Sequence, residues 1–399
     1  MKKIALMLCA CAALSFGFSS CEQESGNGNG NGNGNGNTNF DEVVEDGFYV
    51  AGAATGSETL TVDYMMDAGI NEAKDQTKRN GMYEKYVALE ANKDFSLVLY
   101  EAGVETRYSA VLEDFDTKGD NYQANLIVGR GALVTGADAP AMQVKESGLY
   151  HIVLDLNKED DLANPQIVVA PVHWAINASA NEAEESAFNR TTMSWTIKDV
   201  EMAAAGKFKF YYGKGWKIQL DDAGNVKANT NLGNEGDAEV ALIPNGLVPG
   251  GKDITLTPGT YTIKLTWNLK AGEIKNSFVG EVTKTKEAEK PDFSTWKMGL
   301  IGSINGDSWT TDVELAYDAT VDGWVIENLA LKAGEEFKIR TVGTWDKVNL
   351  GYANVTITGD KANFEDKGGN IGVVADATYA KVTLKHEFAT GVWTIDFQK

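Results

Sequence analysis

Two tryptophans sit where no strand pattern gives them anything to pack against. Trp309 lies in Asn305-Gly306-Asp307-Ser308-Trp309-Thr310-Thr311 and Trp345 in Val342-Gly343-Thr344-Trp345-Asp346-Lys347, both polar runs that read as loops. Indoles presented from loops make a platform for the apolar faces of pyranose rings, while neighbouring cations, amides and carboxylates satisfy the hydroxyls at the ring edge. Such groups are at hand. Lys338 and Arg340 are two residues apart and so share one face of a strand, Asp346 follows Trp345, and Asn349 stands four residues beyond it. The competing arrangement has Trp309 capping its sandwich and Trp345 folded back onto it. A partial version recurs at Tyr212-Gly213-Lys214-Gly215-Trp216, with Lys209 and Lys214 as cations, but the loop matching that of Trp309 holds only Phe188, Asn189 and Arg190.

Other chemistries find less support. His151, His173 and His386 are scattered, and neither a His-Glu-x-x-His run nor a Gly-x-Ser-x-Gly elbow occurs. Cysteine is absent after Cys21, which excludes a thiol nucleophile from the mature domains. A carboxylate pair could hydrolyse a glycoside, but among 57 acids no pair stands out, so the chain reads as a non-enzyme without a cofactor. Asp155-Leu156-Asn157-Lys158-Glu159-Asp160 begins like a calcium loop but has Asp160 where the turn needs glycine. Asp114-Phe115-Asp116-Thr117-Lys118-Gly119 puts a lysine at a ligand position. Both read as solvated turns, and no metal site is expected. Nucleic acid is excluded as a partner by a net charge of −21, which becomes −23 once Lys2 and Lys3 leave with the leader.

The elements that must hold these residues are strands. After Phe40 the chain is a series of short runs rich in Val, Ile, Thr, Tyr, Phe and Trp, broken by Gly, Asn and Asp. The runs recur in one order. A first strand reads Phe48-Tyr49-Val50-Ala51-Gly52, Val172-His173-Trp174-Ala175-Ile176 and Met298-Gly299-Leu300-Ile301-Gly302. A third reads Phe95-Ser96-Leu97-Val98-Leu99, Phe208-Lys209-Phe210-Tyr211 and Phe337-Lys338-Ile339-Arg340. A late strand is announced by Gly148-Leu149-Tyr150, Gly259-Thr260-Tyr261 and Ala377-Thr378-Tyr379. A spacing of roughly 110–120 residues suits one seven- or eight-stranded sandwich per copy. The expected fold is all-β, with three tandem Ig-like or carbohydrate-binding-module sandwiches over 41–170, 171–286 and 287–399. Thr283 to Pro291, charged and apolar-poor, reads as a linker. Trp174, Trp195, Trp267, Trp324 and Trp393 alternate with polar neighbours and are expected in cores, with Trp296 packed nearby; the first copy has no tryptophan and reads as a spacer.

The N-terminus sets location. Lys2 and Lys3, an apolar run from Ile4 to Phe18 too short to span a bilayer, then Ser19, Ser20 and Cys21, form a lipoprotein signal peptide over 1–20. Acyl chains on Cys21 would bury many methylenes at about 0.8 kcal/mol each and anchor the chain. Residues 21–40 then form a flexible tether. Its Gly-Asn pairs from Gly26 to Asn37 carry no apolar side chain, and a Gly-rich coil of about 18 residues reaches on the order of 20–25 Å.

Motifs at both ends resemble one family. Glu22-Gln23-Glu24-Ser25 after Cys21 is similar to the surface-export signal of Bacteroidota lipoproteins. Phe337-Lys338-Ile339-Arg340, Trp345-Asp346-Lys347-Val348-Asn349-Leu350-Gly351, Gly368-Gly369-Asn370-Ile371 and Ala377-Thr378-Tyr379 resemble the starch-binding modules of SusE/SusF-type surface lipoproteins. The second copy keeps Phe208-Lys209-Phe210, Trp216-Lys217-Ile218-Gln219-Leu220 and Gly259-Thr260-Tyr261, with Gln219 where the motif has Asn. The resemblance implies a non-catalytic protein on the extracellular face of the outer membrane, an N-terminal sandwich without a sugar site, and binding modules that hold a glycan, starch-like α-glucan first, beside a SusC/SusD-type importer. Its implied ligand set is Trp309, Trp345, Lys338, Arg340 and Asn349. The rival reading is a structural or peptide-binding accessory of such an importer with no sugar site.

Overall fold

The computed structural model describes residues 44–70, 78–119, 126–136, 139–156, 166–178, 181–184, 188–212, 215–219, 227–269, 274, 277–306 and 309–399. The leader, Cys21, the tether and Lys214 lie outside the described residues. The fold is all-β, built of packed sheets, and among the described residues helical structure is confined to 3-10 turns. Alternation drives it. In Gly259–Trp267 every second residue, Tyr261, Ile263, Leu265 and Trp267, is buried while the residues between them are half-covered.

In the first copy a four-stranded sheet, in order Gly47–Ala51, Ser96–Glu101, Val104–Ser109, Val134–Thr135, packs on a six-stranded sheet, in order Asp67–Ile70, Lys78–Leu89, Gly148–Asp155, Gln166–Pro171, Ile127–Ala132, Glu113–Asp116. Phe48, Val50, Leu97, Val87, Ile152 and Leu154 share the core between them. The six-stranded sheet is covered on its other face too. Along Gly148–Asp155, residues Leu149 and Val153 belong to a cluster that also holds Met82, Tyr86 and Val168 together with Trp174, Tyr212 and Phe278 of the second copy. Burial on both faces is why Gly148–Asp155 and Gln166–Pro171 read as nearly continuous apolar runs.

At the centre of this junction sits His151, fully buried. Its Nε2 is 2.7 Å from Glu84 Oε2, its Nδ1 is 2.5 Å from the Tyr212 hydroxyl, and its ring stacks on Tyr86 at 4.4 Å. A ribbon also crosses between the copies: Lys217–Gln219 pairs with Lys227–Asn229 on one side and with Lys118–Gly119 on the other. Packed side chains and backbone pairing therefore join the first two copies.

The second copy carries one sheet ordered Asn181–Glu184, Trp174–Ala178, Gly206–Tyr212, Asn231–Asn234, Leu247–Pro249 and another ordered Ser194–Met202, Gly259–Trp267, Phe278–Glu287. The last of these strands runs on to Glu287, with Thr283 paired to Thr262, so residues 283–287 belong to the sheet rather than to the expected linker. In the third copy Val313–Asp318 pairs through its first half with Met298–Leu300 and through its second half with Gly323–Val325, bending one continuous ladder into two layers. Trp324, Phe337, Ile339, Tyr379 and Phe397 fill the core between those layers. The tyrosines that announce the late strand in the first two copies bond back to the carbonyl four residues upstream, Tyr150 to Glu146 at 2.6 Å and Tyr261 to Thr257 at 2.7 Å.

Trp174, Trp195, Trp267 and Trp324 are core residues, as their periodicity predicts. Trp393 and Trp296 are only partly buried and pack against the third core from its margin.

Candidate functional site

In the strand Glu336–Thr341, alternation sends Phe337 and Ile339 into the core and leaves Lys338 and Arg340 on the outer face, about 7 Å apart along the strand. Register then builds a row across three strands. Arg340 lies opposite Gly299 on one side and opposite Asn349 on the other. Gly299 contributes only backbone, and the space above it is filled by its neighbours: a β-carbon there would stand 3.0 Å from Asp312 Cβ and 3.1 Å from Val342 Cγ2. Asp312 Oδ1 accepts a 2.7 Å hydrogen bond from Arg340 Nε, and its Oδ2 accepts from Arg340 Nη2 at 2.9 Å and from the Gly343 N–H at 3.0 Å. Burial pushes the Asp312 carboxyl up, but the hydrogen bonds from Arg340 and Gly343 and the guanidinium charge outweigh it and hold the group below the usual range.

The guanidinium carbon of Arg340 lies 4.5 Å from the centroid of the Trp345 ring. Trp345 is 42% exposed, so the indole is backed by a cation on one side and keeps a substantial part of its surface open to solvent. A tight turn carries it there. Gly343 has φ +75°, Thr344 Oγ1 donates to Asp346 Oδ2 at 2.8 Å, and the Asp346 N–H donates back to Thr344 Oγ1 at 3.2 Å. Asn349 is exposed and Lys338 half-buried. Lys347, next in the loop, lies 5.7 Å from the ring of Trp296.

Trp309 is half-buried and lies outside the core cluster. Its N–H donates to the Gly302 carbonyl at 3.0 Å, which places its backbone beside the residue paired with Phe337. It also has φ +64°, a conformation that a bulky side chain adopts only under restraint, at a cost on the order of 1–2 kcal/mol.

The same face can be followed through all three copies, because Gly52 and Gly302 make the same close approach, to the backbone of Asp94-Phe95 and of Glu336-Phe337. In the first copy the positions of Gly299 and Arg340 are held by Tyr49 and Val98, both fully buried in a small apolar cluster with Ala51 and flanked by Val44, Leu60 and Met65. In the second copy they are held by Ala175 and Tyr211, which are paired to each other just as Gly299 and Arg340 are. Tyr211 stacks on Trp216 at 4.9 Å and 29°, and Trp216 is half-buried. Lys209 lies 3.4 Å from Asp253.

Sequence matching places Gln219 at the motif asparagine of the second copy, but the structure places Asn231 there. Asn231 pairs with Tyr211 and Leu232 with Phe210, as Asn349 pairs with Arg340 and Leu350 with Ile339. The repeated Asn-Leu-Gly of 231–233 and 349–351 was the available signal, hidden by the inserted ribbon between Trp216 and Asn231. Asn349 is exposed, whereas Asn231 is buried, giving its Nδ2 hydrogens to the Trp216 carbonyl at 3.1 Å and to Asn229 Oδ1 at 2.9 Å. Asp312 and Gly299 are the site residues that sequence reading missed altogether. Among the described residues no cluster of His, Cys, Asp and Glu side chains forms a metal site.

No protein-family model matches the sequence, and no curated protein matches it. Among solved structures, a match is found with the crystal structure of SusF from Bacteroides thetaiotaomicron, at 12% identity and a TM-score of 0.24, covering 84% of this chain and 76% of that one. Superposition this loose leaves the site to stand on its own residues.

Proposed function

We propose that this chain is a non-catalytic glycan-binding lipoprotein of the outer-membrane surface. Acyl groups on Cys21 anchor it, and it holds oligosaccharide, a starch-like α-glucan first, beside a SusC/SusD-type importer. Its three sandwiches, over 41–170, 171–286 and 287–399, then divide the work. The third carries the open site of Trp345, Trp309, Lys338, Arg340, Asn349 and Asp346. The second carries a more covered version with Trp216, Lys209 and Lys214, and the first serves as a spacer.

One observation supports this reading above the others: Trp345 stands 42% exposed with a guanidinium behind it. A ring held in this way offers an apolar face to a pyranose, with Asn349 on the strand beside Arg340 and Lys338 farther along the same face to meet hydroxyls. The two covered copies favour a supporting role for the first part of the chain. That observation is what the rival reading, an accessory without a sugar site, has in its favour.

Gel retardation of the mature chain in a panel of soluble polysaccharides, run beside Trp345→Ala, tests the proposal. The parent is expected to be retarded by at least one α-glucan and Trp345→Ala to bind about tenfold more weakly, the equivalent of about 1.4 kcal/mol. No retardation in any polymer would favour the accessory reading, and release of reducing ends would show an enzyme instead.

A further inference from the structure

We propose that Asp312 is a positioning residue for Trp345, acting through Arg340, and that Gly299 is the gap in the intervening strand that lets it do so. The proposal rests on the glycan reading for its binding consequence alone. An arginine on a sheet face has many rotamers, and an indole laid over it inherits that freedom. Two parallel hydrogen bonds to one carboxylate fix both the position and the plane of the guanidinium. Asp312 supplies them from a side chain only 7% exposed, and the same Oδ2 also takes the N–H of Gly343, two residues before Trp345. One carboxylate thus restrains the support behind the ring and the turn that carries it.

The path is sterically conditional. Asp312, at the entry to Val313–Asp318, and Arg340, in Glu336–Thr341, lie on either side of Met298–Gly302, and Asp312 crosses above Gly299, the residue paired with Arg340. A methyl group at 299 would press on Asp312 Cβ at 3.0 Å. The chain contains its own control. The second copy has Ala175 in place of Gly299 and Tyr211 in place of Arg340, and there the loop tryptophan is supported by ring stacking, which needs no acid. Glycine and arginine occur together in one copy, a β-carbon and an aromatic in the other.

The test uses the full mature chain labelled with 5-fluorotryptophan, whose Trp345 resonance in 19F NMR is assigned by its loss in Trp345→Phe. Asp312→Asn is expected to shift and broaden that resonance while those of buried Trp174 and Trp324 stay in place as folding controls. Arg340→Tyr copies the second copy's support, so adding Asp312→Asn to it is expected to change nothing further. On an α-glucan that retards the parent, Asp312→Asn is expected to bind about tenfold more weakly, whereas adding Asp312→Asn to Arg340→Tyr is expected to weaken binding no further than Arg340→Tyr alone does. Should Asp312→Asn fail to fold, Gly299→Ala keeps both charges, obstructs the path and is expected to move the same resonance. An unmoved Trp345 signal in whichever of these variants folds, or an equal loss on adding Asp312→Asn to parent and to Arg340→Tyr, overturns the proposal. Because the spectra need no ligand, a parent that binds no polymer sinks the glycan reading while the resonance still decides the role of Asp312.

Discussion

His151→Leu tests whether the first two copies unfold as one body. The imidazole is fully buried, and Glu84 beside it is 3% exposed. Leucine keeps most of the packed volume but removes the partner of Glu84 Oε2 at 2.7 Å and of the Tyr212 hydroxyl at 2.5 Å. Stranding a buried carboxylate costs about 3–5 kcal/mol, and a stranded hydroxyl adds about 1–3 kcal/mol. Recovered apolar contact offsets part of this, leaving roughly 4 kcal/mol. At a denaturant dependence of about 2 kcal/mol per molar urea, the midpoint should fall by about 2 M. The chain provides the reporter, since the first copy has no tryptophan while the second has Trp174, Trp195, Trp216 and Trp267. A substitution in the first copy should therefore move the fluorescence transition of the second, in step with far-UV circular dichroism, and leave the third copy's transition where it was. An unmoved second-copy signal beside an early loss of ellipticity would refute the shared core.

Trp309→Gly should separate binding from stability. Glycine accepts φ +64° without strain, so the melting temperature of the third copy is expected to stay level or rise, while retardation by the α-glucan weakens. A falling melting temperature would show that the indole is packing and not presented. Tyr379 tests alkaline behaviour: burial, set partly against the Asn363 hydrogen bond and helped by Asp360, pushes its phenol up to about 12. The folded state then holds a proton that the unfolded chain releases near pH 10, so its contribution is whole below pH 10 and is lost as pH rises through about 12. The effect is on the order of 2 kcal/mol. Tyr379→Phe should flatten the decline of the third copy's urea midpoint between pH 10 and 12, and parallel declines would contradict the assignment.

The sequence made the strands legible because their alternation is a local property. Tyr261, Ile263, Leu265 and Trp267 announce their own face, and the recurrence of Gly-x-Tyr marks equivalent strands in the first two copies. The exposed Trp345 was legible for the converse reason, a large ring in a polar run without periodic support. What stayed hidden depends on which strands lie side by side. Asp312 precedes Arg340 by 28 residues, and nothing local ties them; the link exists only because both strands flank Gly299. Asn231 was obscured by an insertion, since fixed spacing from Trp216 reaches Gln219 before the chain has made its ribbon. The junction at His151 was hidden because a histidine within an apolar run reads as one strand's residue until the facing copy supplies Tyr212.

The three copies together show how one sheet face can be closed or left open with few changes. Tyr49 opposite Val98 completes an apolar cluster and leaves no platform. Ala175 opposite Tyr211 supports a loop indole by stacking, but an inserted ribbon runs from that indole to pair with the first copy, and the amide that would meet a ligand turns inward at Asn231. Gly299 opposite Arg340 has no insertion, and its amide, Asn349, faces solvent. The choice of residue opposite the third strand therefore decides more than local packing. A β-carbon at that position would crowd Asp312 at 3.0 Å, and on the proposal above an arginine without that acid loses its fixed place beneath the ring. On this reading the third copy's face depends both on the glycine at 299 and on the missing insertion, and a methyl group at 299 is expected to displace Trp345 by crowding Asp312.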